Sequence, residues 1–206
     1  KEDLFADPCL RTWLPYINAG TPFSGGLDLL FRPVMLLTLL FFPVHIAINY
    51  EMILYFFLMG VFMYFYMREL QVSPLSAFLA ALFLMLNGEM VSLLNAGHVN
   101  KIGAIAFAPL VFWAFERALR HKTLTAFLLA GAALSFQFWQ GHIQISFYTC
   151  IAVGLYYLMR VGMLYWEERA LKPISKLTVS ALIMIIVFFL LSAVDFLPLL
   201  SFARVS

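Results

Sequence analysis

Glu89, His98, Lys101, Gln140, His142 and Gln144 stand in a chain that is otherwise almost unbroken hydrocarbon. Polar groups in such surroundings cost free energy unless they are paired, hydrated or used. Their types are sufficient for chemistry on a polar head group attached to a lipid: a carboxylate can take the proton of an acceptor hydroxyl, and imidazole, amide and lysine groups can line the cavity around it. Both histidines follow a glycine, in Leu94-Asn-Ala-Gly-His-Val-Asn-Lys101 and in Gln137-Phe-Trp-Gln-Gly-His-Ile-Gln144. Each Gly-His step falls at a joint between two apolar segments. Asp7, Trp13, Tyr16, Glu51, Asn95, Asn100 and Asp195 are the further polar or amphipathic residues grouped with this set.

The spacing excludes several mechanisms. The chain has no His-Glu-x-x-His, no Cys-x-x-Cys, no phosphate-binding Walker loop and no Gly-x-Ser-x-Gly elbow. Glu89 and His98 are not at local metal-ligand spacing, so no metal residues are assigned. A divalent metal remains compatible with a site assembled by the fold, and no cofactor is identified. Each candidate also has a plainer role. His98 can bond a carbonyl at a helix start, His142 with Gln140 and Gln144 can solvate a helix end, and Glu89 can pair with Lys101. Trp13 and Tyr16 suit an aromatic belt, Asp7 before Pro8 suits a turn, Glu51 reads as a rim anchor, and Asp195 as an interface residue.

The elements that must position these groups follow from composition. Of 206 residues, 64% are hydrophobic and 12% charged, against roughly 45–50% and 25% in soluble domains. The continuous apolar runs, with a mean hydropathy of +0.93, predict an all-α integral membrane protein rather than a β-barrel. A net charge of +2 without a basic stripe argues against nucleic acid as a partner. Cys9 and Cys150 sit in dissimilar settings and predict no disulfide.

Residues 1–45 read as a Pro- and Gly-rich loop followed by an interfacial or re-entrant apolar segment at 34–44, too short for the about 20 residues of a crossing. Residues 46–206 read as a transmembrane bundle, with spans near 46–67, 74–94, 101–119, 123–139, 143–160 and 177–197, the second opening with Ser73 as cap and Pro74 in its first turn. The pairs Ala77/Ala81, Ala104/Ala108 and Ala126/Ala130 suit close helix approach. The start at Lys1 and the stop at Ser206 suggest a piece of a longer protein. Alternate loops carry Arg68, Arg117, Arg120, Lys122, Arg160, Arg169, Lys172 and Lys176, eight of the thirteen basic residues. That side is expected to be cytoplasmic and to carry only anchors and solvated charge. The N-terminal segment, both Gly-His joints and Asp195 then face the extracytoplasmic side.

The stretches Trp13-Leu-Pro-Tyr-Ile-Asn-Ala-Gly-Thr-Pro-Phe23, Asn87-Gly-Glu-Met90, Ala96-Gly-His-Val-Asn-Lys101, Ala108-Pro-Leu-Val-Phe-Trp-Ala-Phe-Glu-Arg117 and Gln140-Gly-His-Ile-Gln144 occur in an order that resembles the YfhO-like family of bacterial membrane proteins. The family looks related to glycosyltransferases of the GT-C class. The resemblance implies a multi-span bacterial inner-membrane enzyme, moving a sugar from a polyprenyl-phosphate donor to an acceptor on the outer side in cell-envelope glycosylation. It also implies an essential acidic residue in the first extracytoplasmic loop. Asp7 is the candidate within this chain, although its short distance from Trp13 departs from the pattern, and that residue can lie before Lys1. Under this reading Asp7 and Glu89 are the catalytic candidates. His98, Lys101, Gln140, His142, Gln144, Trp13 and Tyr16 bind the lipid phosphate or the sugar. The rival expectation is a non-enzymatic membrane subunit or assembly factor with protein partners, in which His98 or His142 contacts a pigment or haem.

Overall fold

The computed structural model describes the backbone of residues 13–14, 21–22, 32–168 and 171–203, and side chains over 32–166, at 175 and over 177–197. A two-residue antiparallel ladder pairs β1 (Trp13–Leu14) with β2 (Thr21–Pro22). The remaining described elements are helices: α1 (Pro33–Phe41), α2 (Val44–Glu69), α3 (Pro74–Met85), α4 (Gly88–Asn95), α5 (Val99–His121), α6 (Leu124–Phe138), α7 (Ile143–Glu168) and α8 (Leu171–Ala203).

Five helical stretches among the described residues are long and apolar enough to cross a membrane: Val44–Glu69, Pro74–Asn95, Val99–His121, Ile143–Trp166 and Leu177–Leu197. The chain is an all-α multi-pass membrane protein. Two details differ from the sequence expectation. The expected span at 123–139 is α6, only 15 residues long, about 22 Å at 1.5 Å per residue. Its Phe127, Ala130, Gly131 and Leu134 are buried against α5 and α8, so much of its surface meets protein rather than lipid and its length need not match the bilayer. The expected span at 74–94 is two helices. Asn87 makes the break tolerable: its Oδ1 accepts from Met90 N at 3.0 Å, and its Nδ2 donates to Leu84 O at 2.8 Å. One amide thus serves an orphan donor of α4 and a terminal carbonyl of α3. At the start of α3, Ser73 Oγ accepts from Ser76 N with Pro74 behind it, as the sequence implies.

Helix α5 is the packing axis. In its most apolar window 67% of residues are buried, against 11% for α7 and 17% for α8, which leaves the outer two to face lipid. One core joins α1, α2, α4 and α5 through Val34, Tyr55, Met59, Leu93 and Phe107. A second joins α5 to α8 through Phe115, Phe127, Leu134 and Met184. Two glycines set how closely helices approach. A β-carbon at Gly131 would lie 2.7 Å from Met184 O, and one at Gly103 would lie 2.8 Å from Gln140 Oε1 and 2.9 Å from Tyr55 Cζ. Contacts between neighbours define two ends. Glu89 reaches Lys101, Asn100 lies beside Gly141 and Phe138 meets Phe196 at the Gly-His end. Arg117 reaches Glu69, and Arg160 reaches Glu116, at the Arg-rich end.

Candidate functional site

The Gly-His end is built in two layers. The inner layer is a buried polar chain. Arg32, just before α1, donates through Nη2 to Glu51 Oε1 at 2.5 Å. Tyr55, one helical turn further along α2, contacts the same oxygen at 2.6 Å. Its hydroxyl also lies 2.5 Å from Gln140 Oε1. A phenol has one hydrogen, so Tyr55 serves one of these two acceptors at a time. The Gln140 amide is oriented by its Nε2, which donates to Phe136 O at 2.8 Å. Glu51 is 1% exposed and Arg32 14%. Glu51 is therefore not a rim anchor, which corrects the sequence reading. It lies under the helix starts, compensated by a guanidinium and a phenol, because an isolated carboxylate there would not be tolerated.

Gln137, three residues before Gln140 on α6, extends the inner layer. Its Nε2 donates to Ala104 O at 2.9 Å and to Thr149 Oγ1 at 2.8 Å, which ties α5, α6 and α7 together. Gln137 Oε1 is buried without a hydrogen-bond partner among the described residues.

The outer layer carries the accessible groups. The two joints turn through Gly97 at φ +70° and Gly141 at φ +75°, backbone that favours glycine. Gly141 packs so closely on Asn100 that a β-carbon would lie 3.2 Å from its Nδ2. The two Gly-His joints are thus neighbours in space. Glu89 sits in the first turn of α4 and points outward, its Oε1 3.6 Å from Lys101 Nζ on α5. The pair is 66% and 30% exposed respectively, so it contributes about 0–1 kcal/mol to stability and leaves the carboxylate accessible. His98 is exposed and precedes α5 without capping it through its side chain. His142 is half-buried, and its Nδ1 accepts from Ile145 N at 3.4 Å. Gln144 is exposed, donating to Tyr148 Oη at 2.7 Å.

The structure therefore brings Glu89 and Lys101 together and sets the His98 and His142 joints side by side. It places Gln140 in the interior and Gln144 on the exterior of α7. Asp7 and Tyr16 lie outside the described residues, and Trp13 is described in its backbone alone. Asp195 is half-buried near the same end of α8. Among the described residues no three His, Cys, Asp or Glu side chains converge on a metal position. Sequence reasoning missed Arg32, Tyr55 and Gln137. The signal available was the four-residue step from Glu51 to Tyr55 and the three-residue step from Gln137 to Gln140, each putting two polar groups on one helix face.

The Arg-rich end also departs from expectation. Glu116 is 1% exposed. It accepts from Arg120 Nε at 2.6 Å and from Tyr156 Oη at 2.5 Å, with Arg160 Nη2 at 3.9 Å. This end holds a buried carboxylate as well as solvated anchors.

Fold and site together define an all-α multi-pass membrane protein with an ionisable cluster at one end of the bundle. Comparison with family models, curated proteins and solved structures gives no match.

Proposed function

We propose that this chain belongs to a polyprenyl-phosphate-sugar-dependent glycosyltransferase, related to the YfhO-like and GT-C enzymes it resembles, acting in cell-envelope glycosylation. The observation that carries the reading is the accessible Glu89–Lys101 pair on the end where both Gly-His joints meet, above helices suited to a lipid-borne donor. Arg117, Arg120, Lys122 and Arg160 lie towards the other end, and the positive-inside tendency supports reading the Gly-His end as extracytoplasmic in a bacterial inner membrane.

In this reading Glu89 takes the proton of the acceptor hydroxyl as that oxygen attacks the anomeric carbon. The bond from that carbon to the phosphate oxygen breaks with inversion, and the polyprenyl phosphate leaves. Lys101, His98 and His142 hold the departing phosphate, since fixed cations and donors stabilise charge that develops in the transition state. Asp7, in the N-terminal loop, is the second carboxylate candidate. Trp13, Tyr16 and Gln144 are candidates for contacting the sugar. Arg32, Glu51, Tyr55 and Gln140 are positioning residues that hold α2 and the 139–142 joint beneath the site.

Turnover of a lipid-linked sugar by the full-length protein tests this. Glu89→Gln should lower kcat by about 10²–10⁴-fold, the usual contribution of a general base, and His98→Ala should weaken donor use. Unchanged turnover in both variants would falsify the site assignment. Absence of turnover, together with a protein partner that co-purifies in stoichiometric amount, replaces the enzyme reading with that of a membrane subunit.

A further inference from the structure

Two hollows lie along the α7–α8 face, away from the proposed transferase centre. Helices α7 and α8 pack loosely on each other, and a cleft of about 380 Å³ opens between them. Its walls are almost wholly apolar, including Leu134, Val153, Ala181 and Phe188, with Gly154 leaving the space open. Towards the Arg-rich end the hydrogen-bonded pair Tyr157–Thr178, 2.7 Å apart, bridges the two helices. Beyond it lies a smaller hollow of about 150 Å³, lined by Lys122, Arg160, Leu164 and Leu177 among others. The two hollows follow one helix face each: Tyr157, Arg160 and Leu164 on α7, and Leu177, Thr178 and Ala181 on α8. Lys176 is the last charged residue before the apolar run that begins at Leu177, so the cationic part stands at headgroup depth and the apolar part at acyl depth.

Among the described side chains the charge there is unbalanced. Glu116 is shared by Arg120 and Arg160, and Lys122 makes no ion pair with a described residue. Among the described side chains there, Arg117, Arg120, Lys122 and Arg160 meet two carboxylates, Glu69 and Glu116. Lys122 is also fixed in a left-handed conformation, φ 53°, as the cap of α5. We propose that the α7–α8 groove binds one anionic phospholipid, with an acyl chain in the apolar cleft and its phosphate against Lys122 and Arg160. Neutral lipid would satisfy the cleft and leave the cations unmatched, while basic pockets between spans are matched by anionic head groups.

The test uses the full-length protein in neutral detergent, titrated with phosphatidylglycerol or phosphatidylcholine of the same acyl chains and read by native mass spectrometry and by melting temperature. Phosphatidylglycerol should be retained saturably, one per chain, and should raise the melting temperature. Phosphatidylcholine should do neither, and inorganic phosphate alone should give no shift. Lys122→Gln with Arg160→Gln should weaken retention about thirtyfold, each cation near an anionic group being worth roughly fivefold. Gly154→Leu puts a side chain into open space within the cleft and replaces a poor helix former. It should abolish retention while keeping the lipid-free melting temperature at or above that of the parent protein. Equal retention of the two lipids, retention undiminished by Gly154→Leu, or a polypeptide found seated in the groove overturns the proposal.

Discussion

Replacing Glu51 by leucine separates a buried ion pair from an exposed one. Glu51 Oε1 receives Arg32 at 2.5 Å and Tyr55 at 2.6 Å, and the carboxylate is 1% exposed. Glu51→Leu leaves the Arg32 guanidinium, 14% exposed, without its counter-charge. Breaking a buried pair from one side costs about 3–5 kcal/mol, because a buried charge is left uncompensated. Tyr55 keeps Gln140 as an acceptor, so the phenol adds little to that cost. The double variant Arg32→Met with Glu51→Leu removes both charges and should recover to within about 2 kcal/mol of the parent, since desolvating the pair offsets much of its attraction. Glu89→Leu provides the contrast: that pair is 66% and 30% exposed, so its loss should cost under about 1 kcal/mol. Reversible unfolding in mixed micelles measures all four proteins on one scale. A Glu51→Leu cost as small as that of Glu89→Leu, or no recovery in the double variant, would refute the buried-pair account.

The glycines give further tests. Gly103→Ala should destabilise by about 1–3 kcal/mol through overpacking, because the added carbon meets Gln140 Oε1 at 2.8 Å and Tyr55 Cζ at 2.9 Å; a neutral or higher melting temperature counts against the close approach of α5. Gly162→Ala in α7 has no neighbour within 4 Å and should stabilise by about 0.5–1 kcal/mol, as read by the same melt. Gly131→Ala faces the backbone oxygen of Met184 at 2.7 Å, which cannot rotate aside, so denaturant unfolding should show a larger loss than for Gly103→Ala. Glu116→Leu leaves Arg120, 34% exposed, and the half-buried Tyr156 hydroxyl without their acceptor and should cost about 1–3 kcal/mol, where a solvated anchor would cost almost nothing.

Much of the fold was legible in the sequence because lipid enforces it. Long apolar runs, Ser73 before Pro74 and the two Gly-His steps mark helices and joints by local rules, and Gly97 and Gly141 do take the positive φ that such joints favour. What stayed hidden depends on distant partners. Glu51 looked like a rim charge because its fate rests on Arg32, 19 residues away, and through Tyr55 on Gln140, 85 residues from Tyr55. Glu116 looked solvated because Arg120 one turn on imitates a surface pair, while Tyr156 lies 40 residues away. Asn87 hid the break between α3 and α4, since its side chain stands in for the backbone partners that a continuous helix would supply. Helix α6 read as a span because hydropathy cannot tell a lipid-facing helix from one packed against protein. The Glu89–Lys101 pairing was legible because the break that turns the chain lies between them.

The central claim is glycosyl transfer at the Gly-His end, and side-resolved turnover tests it most directly. Right-side-out and inverted membrane vesicles holding the full-length protein, or its Glu89→Gln variant, would be supplied with a polyprenyl-phosphate sugar and acceptor. The account predicts product only when substrates reach the face bearing His98 and His142, with a loss of about 10²–10⁴-fold in Glu89→Gln. Product formed at the face bearing Lys122 and Arg160, or turnover indifferent to Glu89→Gln, contradicts it.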